Sequence, residues 1–172
     1  MSGIQRQEWL LKMELALIAA VAKNGVIGKN GELPWGKIPE DMKRFKALTL
    51  NHSVIMGRTT YKSIPSEFRP LPGRTNIVLS RDKNFVEDGI VIRHSIDEAL
   101  KAAEVYGKVA YVIGGQSVYE QTIGLASRLE LTEIHRDYEG DSSFPKFDKA
   151  EWREAGRMDR EGYSFVTYKR KT

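Results

Sequence analysis

Apolar runs of strand length alternate with segments of helical period along most of this chain. The runs fall at 15–22, 53–57, 75–80, 90–93, 109–113 and 129–135, each bounded by Gly, Asn, Asp or Pro signals. Two more, near 152–158 and 163–169, are joined by Asp159-Arg160-Glu161-Gly162, which reads as a hairpin turn. Val54-Ile55-Met56, Ile77-Val78-Leu79 and Val112-Ile113 are apolar at consecutive positions. Both faces of those strands must be covered, as in a buried parallel sheet. The first run is Ala-rich and has the pattern of a buried helix as well, but its short length and the Lys23-Asn24-Gly25 terminator select a strand. Helical periods fall at 39–49, 59–64, 96–106 and 116–126, and Ser95-Ile96-Asp97-Glu98 has the spacing of a capping box. The alternation is the signature of an α/β domain.

Composition narrows the class of chemistry. The 172 residues are 41% hydrophobic and 29% charged, which suits one folded domain. No run reaches the ~18 apolar residues that a membrane span needs. There is no cysteine, so disulfide scaffolds, thiolate catalysis and Cys-ligated metals are excluded. His52, His94 and His135 are far apart, without the spacing of a zinc site, and no metal is expected. The net charge of +4 fits nucleic acid and a small anionic ligand equally well. Residues 1–12 are polar around Trp9-Leu10-Leu11 and lack a cleavage signal, so they read as an extension able to form a short amphipathic helix. Residues 13–172 then form the domain, and the expected location is cytoplasmic.

Polar clusters gather where strands end. Gly114-Gly115-Gln116-Ser117 follows one strand and opens a helix. It can be a plain turn, or a cradle where free N–H groups meet a diphosphate. It is not the Gly-x-Gly-x-x-Gly fingerprint. Gly57-Arg58-Thr59-Thr60 repeats the logic after another strand, and Ser80-Arg81 ends a third. One extended ligand explains all three, and two arginines beside it suit a phosphate monoester, hence NADP rather than NAD. Gly31 to Lys37 has P-loop spacing, but Ile38 stands where a hydroxyl is needed, so the match is chance. In the helix after Pro39, Asp41 shares a face with Phe45, near Met42 and Leu48, while Glu40 and Arg44 share another toward solvent. Asp41 is therefore the acid aimed at the apolar interior.

Taken in order, several segments resemble the dihydrofolate reductase family: Leu17-Ile18-Ala19-Ala20, Gly25-Val26-Ile27-Gly28, Leu33-Pro34-Trp35, Pro39 to Phe45, Val54 to Thr60, Arg69 to Arg74, Asn76 to Arg81, Val112 to Gly115 and Gly140 to Pro145. The resemblance runs from about Glu14 to the end. It implies a central twisted, mainly parallel eight-stranded sheet with an antiparallel C-terminal strand and four flanking helices, and a cis Gly114–Gly115 peptide. It implies reduction of 7,8-dihydrofolate with NADPH. Asp41 matches the pocket carboxylate, supported by Thr132, and Trp35 matches the residue that orders a water near the reacting ring. Ile18, Ala20, Leu33, Phe45, Ile64 and Leu71 match apolar walls, and Arg74 the clamp on the substrate's glutamate carboxylate. Ala20, Ile27, Gly28, Arg58, Thr59, Thr60, Ser80, Arg81, Ile113, Gly114, Gly115, Gln116, Ser117, Val118 and Tyr119 match the NADPH cleft. A pyrimidine reductase of riboflavin synthesis, which resembles the same fold, and a non-catalytic basic nucleotide- or RNA-binding module are the competing readings. Asp41, Leu33-Pro34-Trp35 and Arg74 favour folate over the first, and the aromatics' place in pocket motifs disfavours the second. The expected partner is therefore a small molecule, with neither nucleic acid nor membrane, and the expected state a monomer.

Overall fold

Strand β1 (Glu14–Ala22) shows why the sheet has two cores. Side chains alternate across a strand, so Leu15 and Leu17 enter one apolar cluster while Ala16 and Ile18 enter another. The same split occurs at β3 (Ser53–Gly57), with Ile55 opposite Val54 and Met56, and at β4 (Thr75–Leu79), with Ile77 opposite Val78. The computed structural model, which describes residues 1–172, places these strands in one eight-stranded sheet. Its order is β5-β4-β3-β6-β1-β7-β10-β9, where β5 is Val91–Arg93, β6 Val109–Gly114 and β7 Arg128–Ile134. Every pair from β5 to β7 is parallel. β9 (Trp152–Arg160) and β10 (Tyr163–Arg170) form the expected hairpin, and β10 runs antiparallel to β7. The carboxyl ends of β1, β3, β4, β6 and β7 therefore share one edge.

One face of the sheet carries α1 (Gly3–Lys12), α4 (Ile96–Tyr106) and α5 (Gln116–Thr122); the other carries α2 (Pro39–Thr49) and α3 (Arg58–Ser63). That makes five helices rather than four. The added one, α1, is held by Trp9, which is 3% exposed and donates Nε1 to the Leu100 carbonyl at 2.8 Å. It also owns the complete capping box, Ser2 with Gln5. At α4 only half of the expected box forms: Ser95 Oγ accepts from Glu98 N, but the Glu98 carboxylate takes the His94 N–H instead. α5 stops at Thr122, short of 126, and the Arg170 guanidinium donates to the Ile123 and Ala126 carbonyls beyond its end. A two-stranded ribbon of β2 (Val26–Gly28) and β8 (Ser142–Ser143) escaped the hydrophobic pattern, being too short to show a period. Gly140 lets it close, since a Cβ there would lie 2.3 Å from Val26 Cγ1 and 2.4 Å from the Gly28 carbonyl oxygen.

Candidate active site

Helix α2 starts with Pro39, whose fixed φ suits a first helical position, and has no side-chain cap. Its first-turn acids, Glu40 and Asp41, point in different directions, as the ~100° step between neighbours requires. Asp41 is half-buried against the sheet, where Thr132 Oγ1 donates to its Oδ1 at 2.5 Å. Burial pushes the Asp41 carboxyl above the ordinary aspartate range, while the Thr132 bond and the Arg44 charge pull the other way. Ala20 lies beside Thr132 in register. Ile18, Phe45, Ile64 and Leu71 all belong to the apolar cluster on this face. Leu33 does not: it is 49% exposed on the loop before α2, outside that cluster. Met42 is likewise 55% exposed, so the apolar company of Asp41 comes from Phe45, Leu48 and the sheet. Trp35 sits on the same loop with its ring edge-on to Tyr138, 5.6 Å between centroids.

The expected Glu40–Arg44 pair is absent. Glu40 instead receives Arg160 Nε at 2.8 Å and the Tyr163 hydroxyl at 2.8 Å, which hold its carboxyl below the usual range. Arg44 turns inward to Glu130, 2.5 Å away on β7. A helical i, i+4 pair contributes only about 0.3–0.5 kcal/mol, so better-placed tertiary partners win both side chains. At the far end of α2, Arg74 donates Nε to the Pro72 carbonyl and Nη1 to Thr49 Oγ1, leaving Nη2 without a protein partner. Partial burial draws its pKa down.

Two short helices begin at the shared strand edge with glycine at the N-cap and no side-chain cap, α3 after Gly57 and α5 after Gly115. Their first-turn N–H groups are thus left for a ligand or solvent. The Gly114–Gly115 peptide is cis, and a Cβ on Gly115 would meet Thr60 Oγ1 at 3.2 Å. Ile113 packs partly buried against the apolar cluster of the α2 face. Thr59 is exposed, and Gln116 and Ser117 hold partners on Ser143 and Gln121. Val118 and Tyr119 are core residues, 6% and 4% exposed, with the Tyr119 hydroxyl donating to the Ile18 carbonyl. Ser80 is buried too, its Oγ accepting from Asp82 N, and Arg81 is exposed without a partner. Arg58 lies over Phe85 at 4.4 Å and reaches Asp82 at 3.3 Å, so a phosphate would have to compete with that carboxylate. Ile27 and Gly28 lie on the ribbon, Gly28 so close to Ser142 Oγ that a Cβ would stand 2.8 Å from it.

The sequence matches the dihydrofolate reductase family profile over residues 14–170. The chain belongs to the dihydrofolate reductase family. It is 44% identical to a dihydrofolate reductase of Haloferax volcanii over 165 residues, covering 92% of this chain and 84% of that one. A Neisseria meningitidis dihydrofolate reductase is 42% identical, with 92% of this chain and 99% of the relative covered. Among solved structures, a dihydrofolate reductase from Enterococcus faecalis complexed with NADP(H) and RAB-propyl superposes with a TM-score of 0.83 at 34% identity, covering 94% of this chain and 98% of that one. Against this family frame, the residues that sequence reasoning missed are Glu130, Tyr163 and Arg160. Glu130 sits in Leu129-Glu130-Leu131, where a charge inside an apolar run was a legible sign of a buried ion pair. Nothing local marks the other two, which reach Glu40 from either side of the β9–β10 turn.

Proposed function

We propose that this chain catalyses the NADPH-dependent reduction of 7,8-dihydrofolate to 5,6,7,8-tetrahydrofolate. The observation that carries the reading is the single carboxyl of Asp41, raised by burial and held by Thr132, at the carboxyl edge of the sheet beside an apolar wall. A weakly basic ring bearing an amino group is the complement of such a site. Asp41 bonds that amino group and the adjacent ring nitrogen, and its charge favours protonation of the reacting ring. Ile18, Phe45, Ile64 and Leu71 exclude water around it. Trp35 closes the loop side, and Arg74 offers its free Nη2 to the substrate's distal carboxylate.

The strand edge suits the cofactor. The uncapped helix starts after Gly57 and Gly115 suit a diphosphate, the glycine pair allows a close backbone approach beside Thr60, and Arg58 and Arg81 suit a phosphate monoester. When bound, NADPH supplies the hydride. The protein's own part is orientation, exclusion of water and the electrostatics of Asp41. Residues 13–172 form the catalytic domain, with α1 as a brace on its rear face. No helix is long and apolar enough to cross a membrane. We place the enzyme in the cytoplasm as a monomer without a nucleic-acid partner.

The direct test is oxidation of NADPH followed on addition of dihydrofolate to the purified chain. Replacing both Arg58 and Arg81 with Ala should shrink the NADPH preference over NADH by at least about tenfold, since each charge-assisted contact is worth about 1.5–3 kcal/mol. An unchanged ratio of the two kcat/KM values would remove these arginines from the cofactor site. Arg74→Lys keeps the charge but not the planar fork, so the KM for dihydrofolate should rise while that for NADPH stays put. Equal weakening of both ligands would make Arg74 a structural residue tied to Thr49.

A further inference from the structure

We propose that Glu130 is a positioning residue for Asp41, acting through Arg44. Asp41 and Arg44 stand one turn apart on α2 and reach alternate residues on one face of β7. Thr132 donates to Asp41 at 2.5 Å, and Arg44 Nη2 donates to Glu130 Oε2 at 2.5 Å. The two contacts are successive rungs between helix and sheet. Glu130 is itself immobilised, 3% exposed, with Arg128 Nη1 donating to Oε1 at 2.9 Å and Thr167 Oγ1 to Oε2 at 2.7 Å. Arg128 is held in turn by Glu14 on β1 and by the Tyr111 hydroxyl on β6. One carboxylate therefore joins α2 to four adjacent strands. Without it, Arg44 would lose its anion and could swing toward solvent. Only its stack on Phe165, 4.9 Å to the ring centre, would remain.

The pair also acts on charge. Arg44 is the cation whose field opposes the effect of burial on Asp41. The other ionisable groups on the elements around Asp41 are Glu40 on α2, which is turned to Arg160 and Tyr163, Glu130 on β7, which is paired with Arg44, and Tyr163 on β10, which meets the Asp41 charge. Lys43 and Arg160 act on Glu40 rather than on Asp41. Removing the Arg44 charge, or freeing Arg44 by removing the Glu130 charge, should therefore raise the Asp41 carboxyl, whereas a substitution that keeps a cation held on Glu130 should not. The inference rests on Asp41 being the carboxyl that meets the substrate.

The experiment is a carbon-13 carboxyl titration of the full chain, with Asp41 assigned by its loss in Asp41→Asn, alongside kcat and KM for dihydrofolate. Arg44→Met and Glu130→Gln should both raise the Asp41 pKa, each by about half a unit to one unit, and each should reduce kcat/KM about threefold to tenfold. Arg44→Lys should keep the pKa near wild type and recover most of the kcat lost in Arg44→Met. If Glu130→Gln does not fold, the double variant Arg44→Met/Glu130→Met, an apolar replacement of a kind buried pairs tolerate, must leave the pKa at its Arg44→Met value, because Glu130 has no route to Asp41 once Arg44 is gone. A Glu130→Gln shift that is absent or opposite in sign to that of Arg44→Met, an Arg44→Lys pKa as high as that of Arg44→Met, or a double-variant shift that sums the two single shifts overturns the proposal. A wild-type chain that fails to reduce dihydrofolate would instead overturn the functional reading, and the titration would still report on the two rungs.

Discussion

Asp41→Asn is expected to lower kcat/KM for dihydrofolate by about 10²-fold or more at pH 7, and to regain part of that as the pH falls. The amide keeps the size of the side chain and still accepts from Thr132, so the local geometry survives. What it loses is the charge that favours a protonated ring. Substrate then has to be protonated beforehand, which acid supplies. Near-normal rates at pH 7 would end the assignment. Glu40→Gln is the contrast. Its carboxylate faces Arg160 and Tyr163 instead of the pocket, so activity should stay within a few-fold of wild type.

The same substitution should act oppositely on stability. Folding raises the Asp41 pKa, so the native state disfavours the charged form relative to the unfolded chain. That penalty is absent below the unfolded value of about 3.8, grows as the pH rises through the folded value, and is complete above it. Asp41→Asn should therefore have a Tm advantage over wild type at pH 7 that disappears near pH 3. An advantage independent of pH would point to packing instead of charge.

Trp9→Ala should be the most destabilising single change in the part of the chain that precedes the family match, by about 3–5 kcal/mol. Trp9 is buried to 3% exposure in the main core cluster, and its indole N–H satisfies the Leu100 carbonyl. Truncation leaves a cavity under α4. For a domain of this size the Tm should fall by on the order of 10 °C, with KM values little changed because the indole lies on the face opposite α2. A Tm within a degree or two of wild type would show that α1 is merely appended. The helix is also clasped at its start, where the Met1 ammonium meets Asp97 at 2.6 Å. That contact, with help from Arg6, holds the Asp97 carboxyl below its usual range. Its contribution is present above about pH 3.8 and is lost as the pH falls through the lower folded value.

Much of the architecture follows from the sequence because the signals are local. Consecutive apolar triplets such as Val54-Ile55-Met56 can be satisfied only by a sheet covered on both faces, and β3 is the result. Pro39 and the acids after it start α2 at the residue expected, and ~100° per residue turns Asp41 and Glu40 apart before any partner is known. The ordered family segments pick out residues that do meet in space: Thr132 bonds Asp41, and Ile18, Phe45, Ile64 and Leu71 share one apolar cluster, while Leu33 stays outside it.

Tertiary structure alone chose the partners of the charges. Sequence spacing offers Arg44 to Glu40, but an exposed helical pair is weak, and the folded sheet presents Arg44 with a buried carboxylate and Glu40 with Arg160 and Tyr163. Arg58 is taken up by Asp82 and Phe85 in the same way. The extension's docking was equally hidden, since Trp9 has an indole partner 91 residues away and no local period reports on that. Hydrophobic alternation is a property of neighbours along the chain and can be read there. An ion pair depends on which distant segment arrives with the right geometry, and only the closed sheet decides that.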